Sequence, residues 1–399
     1  MKKATARILE VGPYPPPLAG WSIRIRFVRE RINELGHDCR VLNIGKTRKI
    51  PSDEYLTCCN FFDYLWKCFR HAVVGFTMHP HTNGKGPVGI ALALIASAIG
   101  CLCFRRVVLS FHAGLEQVYF PRERSGYLLP FMFLLFKLPR TVLCDNEAIR
   151  EKIVEFGISP DKVVAIRTFG TRYIRSQEVA LPEHVEQYVQ QHDPLLYTYF
   201  FFREGFHLET LIRGLQLLVE KYPRIGIINA SSIDDFEPPV KQRIEQLIEV
   251  EGVSENILLA DDLSHDEFLT LARRSKLFLR TPTSDGESAS VLEALASGVP
   301  VVASENQARP ESVITYRHDN PQDLCQKVTQ VLENHREYCD KVVSPTAHDT
   351  IEEEAQLLIR ENLGARSVEA LSSISPPAPL PTAAESSNFD PTPSASSDA

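Results

Sequence analysis

The nine cysteines of this 399-residue chain include no Cys-x-x-Cys pair and no paired His/Cys spacing of the kind that holds zinc. Scattered from position 39 to 339, they offer no disulfide framework either, which points to a reducing, cytoplasmic compartment. A signal peptide is also missing: Met1-Lys2-Lys3 is basic, but a strand-like segment and a proline cluster follow in place of an apolar core and cleavage site. There is no internal repeat of solenoid length. Nothing resembles a nucleic-acid module, and the basic residues are scattered rather than striped, so nucleic acid is not an expected partner. What the chain does have is an uneven charge. Residues 1–180 carry about 26 Lys and Arg against about 15 Asp and Glu, near +11, whereas residues 181–399 carry the opposite excess, near −19. A basic front half suits anionic lipid or a phosphate-bearing substrate, and solvated surface charge with no partner is the plainer explanation.

Hydrophobic content of 44% and charged content of 24% are those of a globular protein. A chain this long exceeds what one core serves, so two domains are expected. Alternating strand and helix patterns give a doubly wound α/β first domain over 1–182, with strands at 7–11, 39–43, 72–78, 106–110, 141–143 and 162–166. Leu181 to Pro194, polar and with two prolines, reads as the connection. A second α/β domain spans 193–345, and 346–364 holds a helix at Asp349 to Asn362. Residues 365–399, rich in Ser, Pro, Ala and Thr, are expected to be a disordered tail. Val88 to Phe104 is nearly all apolar at the lower limit for a bilayer span, but strand-like runs flank it, so a buried crossover helix is the better reading. Tyr127 to Leu138 is rich in aromatics and flanked by Arg122, Arg124, Lys137 and Arg140, which suits either a core helix or a membrane interface.

One stretch carries more chemistry than the rest. Leu277-Phe278-Leu279 reads as a buried strand, the polar loop Arg280 to Ser290 leaves its carboxyl end, and a helix carrying Glu293 follows before Gly298-Val299-Pro300-Val301-Val302-Ala303. Open α/β sheets bind ligands at such a place, with helix N–H groups facing an anion. Taken alone, the pattern leaves open whether Glu293 accepts ribose hydroxyls or is merely solvated, and whether Asp285 is an N-cap.

The stretch resembles the acidic-x7-acidic signature of the family 4 retaining glycosyltransferases. Asp285 stands for the first acid, Glu293 matches the second, and Gly298 to Ala303 matches the ending, while Glu287 and Ser288 replace the usual Phe-Gly. Ile8 to Gly20, with its Pro15-Pro16-Pro17 run, resembles the family's opening strand and glycine-ended loop. The resemblance implies a GT-B fold: two doubly wound Rossmann-like domains facing a cleft, with a final helix returning to the first. It implies transfer of a sugar, in the manner of a hexosyltransferase, from a nucleotide-diphosphate donor to a glycan or lipid-linked acceptor, with retention and no metal or other cofactor. No Asp-x-Asp pair before a strand-end loop argues otherwise. Polysaccharide or glycolipid assembly follows as the setting, in the cytoplasm or peripherally at the inner membrane face.

By the same resemblance His112, in Ser110-Phe111-His112-Ala113-Gly114, and Asp285 are expected to contact the donor sugar. Gly20 would let backbone approach the donor, Gly286, Glu287, Ser288, Ala289 and Ser290 would form the donor loop, and Glu293 would hold the ribose. His79 and His81 are weaker candidates for shaping the acceptor side. The chain departs from the family after the strand at 195–201, where Tyr199 and Glu204 stand in place of an Arg and a Lys that neutralise the diphosphate. Arg203 and Arg280 are the expected replacements. If neither serves, a catalytically silent GT-B sugar-nucleotide or glycan-binding protein is the alternative.

Overall fold

The computed structural model describes residues 4–16, 20–114, 117–167, 169–170, 174, 178–231, 236–261, 263–283, 288–306, 309–345 and 349–364. The tail at 365–399 lies outside them. The first half runs β1 (Arg7–Gly12), α1 (Gly20–Glu34), β2 (Asp38–Asn43), α2 (Phe61–Val73), β3 (Thr77–Thr82), α3 (Pro87–Leu102), β4 (Val108–Phe111), α4 (Leu129–Lys137), β5 (Thr141–Cys144), α5 (Glu147–Val154) and β6 (Val163–Ala165). The second runs α6 (Glu183–Gln191), β7 (Leu195–Thr198), α7 (Leu208–Lys221), β8 (Gly226–Asn229), α8 (Pro238–Val250), β9 (Ile257–Leu259), α9 (His265–Arg274), β10 (Leu277–Arg280), α10 (Ala289–Ala296), β11 (Val301–Ser304), β12 (Ile314–Tyr316), α11 (Pro321–Glu333), α12 (His335–Asp340) and α13 (Thr350–Leu363).

Each half builds a parallel six-stranded sheet, in the orders β2-β1-β3-β4-β5-β6 and β12-β11-β10-β7-β8-β9. The strands are short and mostly apolar on both faces because helices cover both. In the first sheet Leu9, Val11, Leu109 and Phe111 pack toward α2, α3 and α4, whereas Ile8 and Val108 pack toward α1 and α13. Strand order reverses between β1 and β3 and again between β7 and β10, and the crevices at such reversals are where open α/β sheets hold ligands.

Three segments differ from the sequence reading. The third strand is Thr77–Thr82, not 72–78, and its six residues are all buried although three are His or Thr beyond the apolar run. Residues before it form α2, started by Asn60, whose side chain accepts from the Asp63 N–H, and held by the buried Tyr64, Cys68 and Ala72. The stretch read as a connection contains α6, whose Val185 and Tyr188 are buried against the second sheet's core.

Helix α13 crosses back to the first sheet. It packs on α1 and β1, and Asn362 exchanges hydrogen bonds with the Arg7 backbone, accepting its N–H at 3.1 Å and donating to its carbonyl at 2.9 Å. Inside that interface Arg24 Nε lies 2.5 Å from Glu354 Oε2, with both side chains buried.

Candidate functional site

The carboxyl ends of the two sheets enclose a cavity of about 270 Å³. From the first half it is lined by Gly20 and Trp21 at the start of α1, and by Asn83, His112 and Asp145 just past β3, β4 and β5. From the second half Tyr199 follows β7, Arg280 ends β10, and Ser288, Ala289 and Ser290 open α10. The N-termini of α1 and α10 meet here: a Cβ on Gly20 would lie 3.8 Å from the Ala289 Cβ. Two helix N-termini, the positive ends of their dipoles, therefore face one cleft, which favours an anion.

Glu293 lies one turn inside α10, is buried, and lines the cavity. Its Oε1 is 2.8 Å from His265 Nε2, and the His265 ring meets Phe27 of α1 edge-on at 5.8 Å. The acid is thus fixed by a histidine from α9 that closes against the first half. Arg280, almost wholly buried, donates from Nη1 to the Tyr199 carbonyl at 2.5 Å, and its guanidinium sits over the Phe206 ring. Arg203 does not line the cavity; its guanidinium lies over Phe201. Glu204 is turned outward to Arg243 at 3.0 Å. Of the two arginines expected to replace the family's cations, the structure brings one to the cleft. Asp285, Gly286 and Glu287 lie outside the described residues.

His112 stands in the cavity wall with its ring edge-on to Trp21. Its Nδ1 is 3.1 Å from Asp145 Oδ1 and its Nε2 is 3.0 Å from His81 Nδ1. Behind it runs a buried polar chain. His81 Nε2 is 2.6 Å from Glu10 Oε2, the same oxygen lies 2.8 Å from His79 Nδ1, and His79 Nε2 is 2.9 Å from Ser110 Oγ. Parallel pairing places these side chains together, because Glu10 stands opposite His79 and His81 opposite Ser110.

Charge settles the hydrogens along this chain. Burial alone would raise the Glu10 carboxyl, but the facing His79 and hydrogen bonds from both imidazoles hold it at about 2, so it is an ionised acceptor. Burial, together with the charge on His79, pushes His81 down to about 3, so its ring is neutral. Burial works against a charge on His79 as well, but there the Glu10 carboxylate wins and the net shift is upward. Neutral His81 therefore gives its Nε2–H to Glu10 and accepts at Nδ1 from His112 Nε2–H. Both ring nitrogens of His112 are engaged, so it reaches a ligand by ring nitrogen only after releasing one of them.

Among the described residues Glu10, His79 and His81 form a group whose potential ligand atoms lie within 4.8 Å of one another. The Glu10 contacts of 2.6 Å to His81, a hydrogen bond, and 2.8 Å to His79, an ion-pair contact, are closer than the roughly 3.4 Å between ligands arranged tetrahedrally at zinc distances. This group fits a charge-compensated network better than an ion site.

Sequence reasoning missed Asp145, His265 and Glu10. Asp145 follows β5 directly, His265 opens α9, and Glu10 is a carboxylate inside an otherwise apolar strand. Each was a signal, but only the fold brings His265 to Glu293 and Asp145 to His112.

Residues 207–347 match the family described as "Glycosyl transferases group 1". No curated protein matches the chain by sequence. Among solved structures, a glycosyltransferase from Rickettsia africae ESF-5 is 17% identical with a TM-score of 0.62, the alignment covering 92% of this chain and 99% of that one. Anabaena Alr3699/HepE in complex with UDP-glucose is 14% identical with a TM-score of 0.65, covering 92% and 99%. A putative UDP-N-acetylglucosamine 2-epimerase from Listeria monocytogenes is 14% identical at 0.62, covering 90% and 97%. The chain has the GT-B fold. Since a glycosyltransferase and an epimerase share it, the chemistry must be argued from the site.

Proposed function

We propose that the protein is a family 4-like retaining glycosyltransferase that moves a sugar, in hexosyltransferase fashion, from a nucleotide-diphosphate donor to an acceptor hydroxyl. The observation that carries this reading is the meeting of the α1 and α10 N-termini beside Arg280, with Glu293 one turn further in. The diphosphate would lie on the helix N-termini and Arg280, and the ribose on Glu293. Such groups stabilise the charge that develops on the departing diphosphate, so no metal or other cofactor is needed in this reading. Ser288 and Ser290, whose hydroxyls are 3.2 Å apart, add donors at the same place. His112 and Asp285 would contact the sugar, with the orientation of His112 set by Asp145 and His81. That HepE is captured with UDP-glucose supports a uridine donor. The acceptor in this reading is a glycan or lipid-linked glycan, with polysaccharide or glycolipid assembly as the setting and a cytoplasmic position at the inner membrane face.

A second reading, a silent sugar-nucleotide or glycan binder, is favoured by Glu204 in place of the family's lysine and by its engagement with Arg243. A panel of nucleotide sugars separates the two. Hydrolysis or transfer with any donor supports the enzyme, whereas thermal stabilisation by a donor without turnover, across a range of acceptors, supports the binder.

A further inference from the structure

Helices α2, α3 and α4 lie side by side over one face of the first sheet, with α3 in the middle. Crossover helices of this kind normally turn a polar side to water. Here the outward side is apolar on all three. On α2 the stripe Phe62, Trp66, Phe69 and Val73 has spacings of four, three and four residues, and Phe62 is 80% and Trp66 60% exposed. Helix α3 has no charged residue at all, and its outer positions include Val88, Ala91 and Leu102. Beyond it Phe104 is 95% exposed. Tyr127, Phe131 and Leu134 continue the surface at α4. The expectation that 88–104 is simply buried thus holds for one side of the helix only. Contiguous exposed apolar surface of this extent marks an interaction site.

The charges around the patch are one-sided. Asp63 is the only carboxylate on the three helices, whereas Arg70, Arg105 and Lys137 stand exposed at their ends; Arg106 and Arg140, also exposed nearby, share Glu361 of α13 at 3.4 and 3.3 Å. In a two-fold pairing of copies through this face, basic rims would oppose each other. An anionic surface complements them. Among the described residues no helix is long and apolar enough to cross a membrane, so the geometry is that of a face lying on a bilayer.

We propose that the outer face of α2, α3 and α4 docks the protein onto an anionic lipid bilayer, its aromatic side chains entering the interface and its arginines and lysines meeting the headgroups. The patch adjoins the cleft, because Asn83 lines the cavity and the exposed Val88 opens α3 five residues later. A lipid-borne acceptor would be presented there; that extension rests on the sugar-transfer reading, and the docking itself does not.

The test uses the full chain with phosphatidylcholine vesicles, with and without phosphatidylglycerol, in sedimentation and tryptophan fluorescence. Expected are binding that requires phosphatidylglycerol and weakens with salt, and a blue shift absent from Trp66→Phe, the other tryptophan being Trp21 in the cleft. Phe62→Ser with Trp66→Ser should weaken vesicle binding at least tenfold, and Val250→Ser, exposed on the far half, should not. An unchanged melting temperature shows that the variants fold, and retained nucleotide-sugar binding shows that loss of docking is separate from loss of the cleft. No binding to either vesicle, equal binding to both, or a dimer in light scattering that the double variant dissolves would overturn the proposal.

Discussion

Arg280 and Arg203 looked equivalent as replacements for a missing phosphate clamp, and their surroundings now separate them. Arg280 is nearly buried in the cleft wall, and its guanidinium is steered by the Tyr199 carbonyl and the Phe206 ring. Arg203 stacks on Phe201 away from the cavity lining. Arg280→Ala should therefore weaken a nucleoside diphosphate by about one to two decades, the value of a charge-assisted contact, and leave the matching nucleoside nearly unchanged. Arg203→Ala should change neither by more than about twofold, which corresponds to well under 1 kcal/mol. Calorimetry with UDP and uridine checks both, and equal losses for the two ligands would remove Arg280 from the phosphate. For Glu293→Gln the expected loss is about 1.5–3 kcal/mol of UDP affinity with folding retained, because the amide oxygen can still accept from His265. Undiminished UDP binding would show that the acid serves only His265. Glu293, Arg280 and the serines of α10 were legible because they follow one strand end in order. His265 and Asp145 were not, because their contacts join segments distant along the chain.

Elements were legible where apolar pattern and burial coincide, and misread where they part. The run Val73 to Met78 looked like a strand, yet the chain enters the sheet only at Thr77 and continues through His79, His81 and Thr82. Polar residues are tolerated there because Glu10 and Ser110 on the neighbouring strands supply partners, which no local pattern announces. Helix α2 escaped notice for the opposite reason: its aromatic outer face hides the usual alternation of polar and apolar sides. Helix α3 was read correctly, and its packing gives a further expectation. A Cβ on Gly100 would come within 2.6 Å of Val107 Cγ2 and 2.9 Å of Met78 Cγ. Alanine favours a helix by up to about 1 kcal/mol over glycine, but overpacking between helix and sheet costs about 1–3 kcal/mol. Gly100→Ala should accordingly destabilise, and an increase in the urea midpoint would mean that the helix shifts outward without cost.

On the scale of the whole molecule, the buried chain of Glu10, His79 and His81 joins the neighbouring strands β1 and β3 of the first sheet and reaches α13 through Glu354, 3.9 Å from His79 and paired with Arg24. Folding stability should therefore follow pH on both sides. His81 stays neutral in the fold down to about 3, against an ordinary 6.5, so between those values the unfolded chain takes up a proton that the fold refuses. Stability is lost as pH falls through that window. Glu10, held at about 2 against 4.5, has the same sign: its contribution is present above 4.5 and lost as pH falls toward 2. His79 has the opposite sign, being raised; its contribution is complete below 6.5 and is lost as pH rises through its folded value, when the Glu10 and Glu354 carboxylates lose their facing cation. Urea denaturation across pH should thus show an acid limb and a neutral-to-alkaline limb with a maximum between them. His79→Gln, which removes a charge that helps hold Glu10 low and His81 neutral, should lower stability overall, alter the acid limb and flatten the alkaline limb. If that limb keeps its slope in His79→Gln, His79 does not carry the charge.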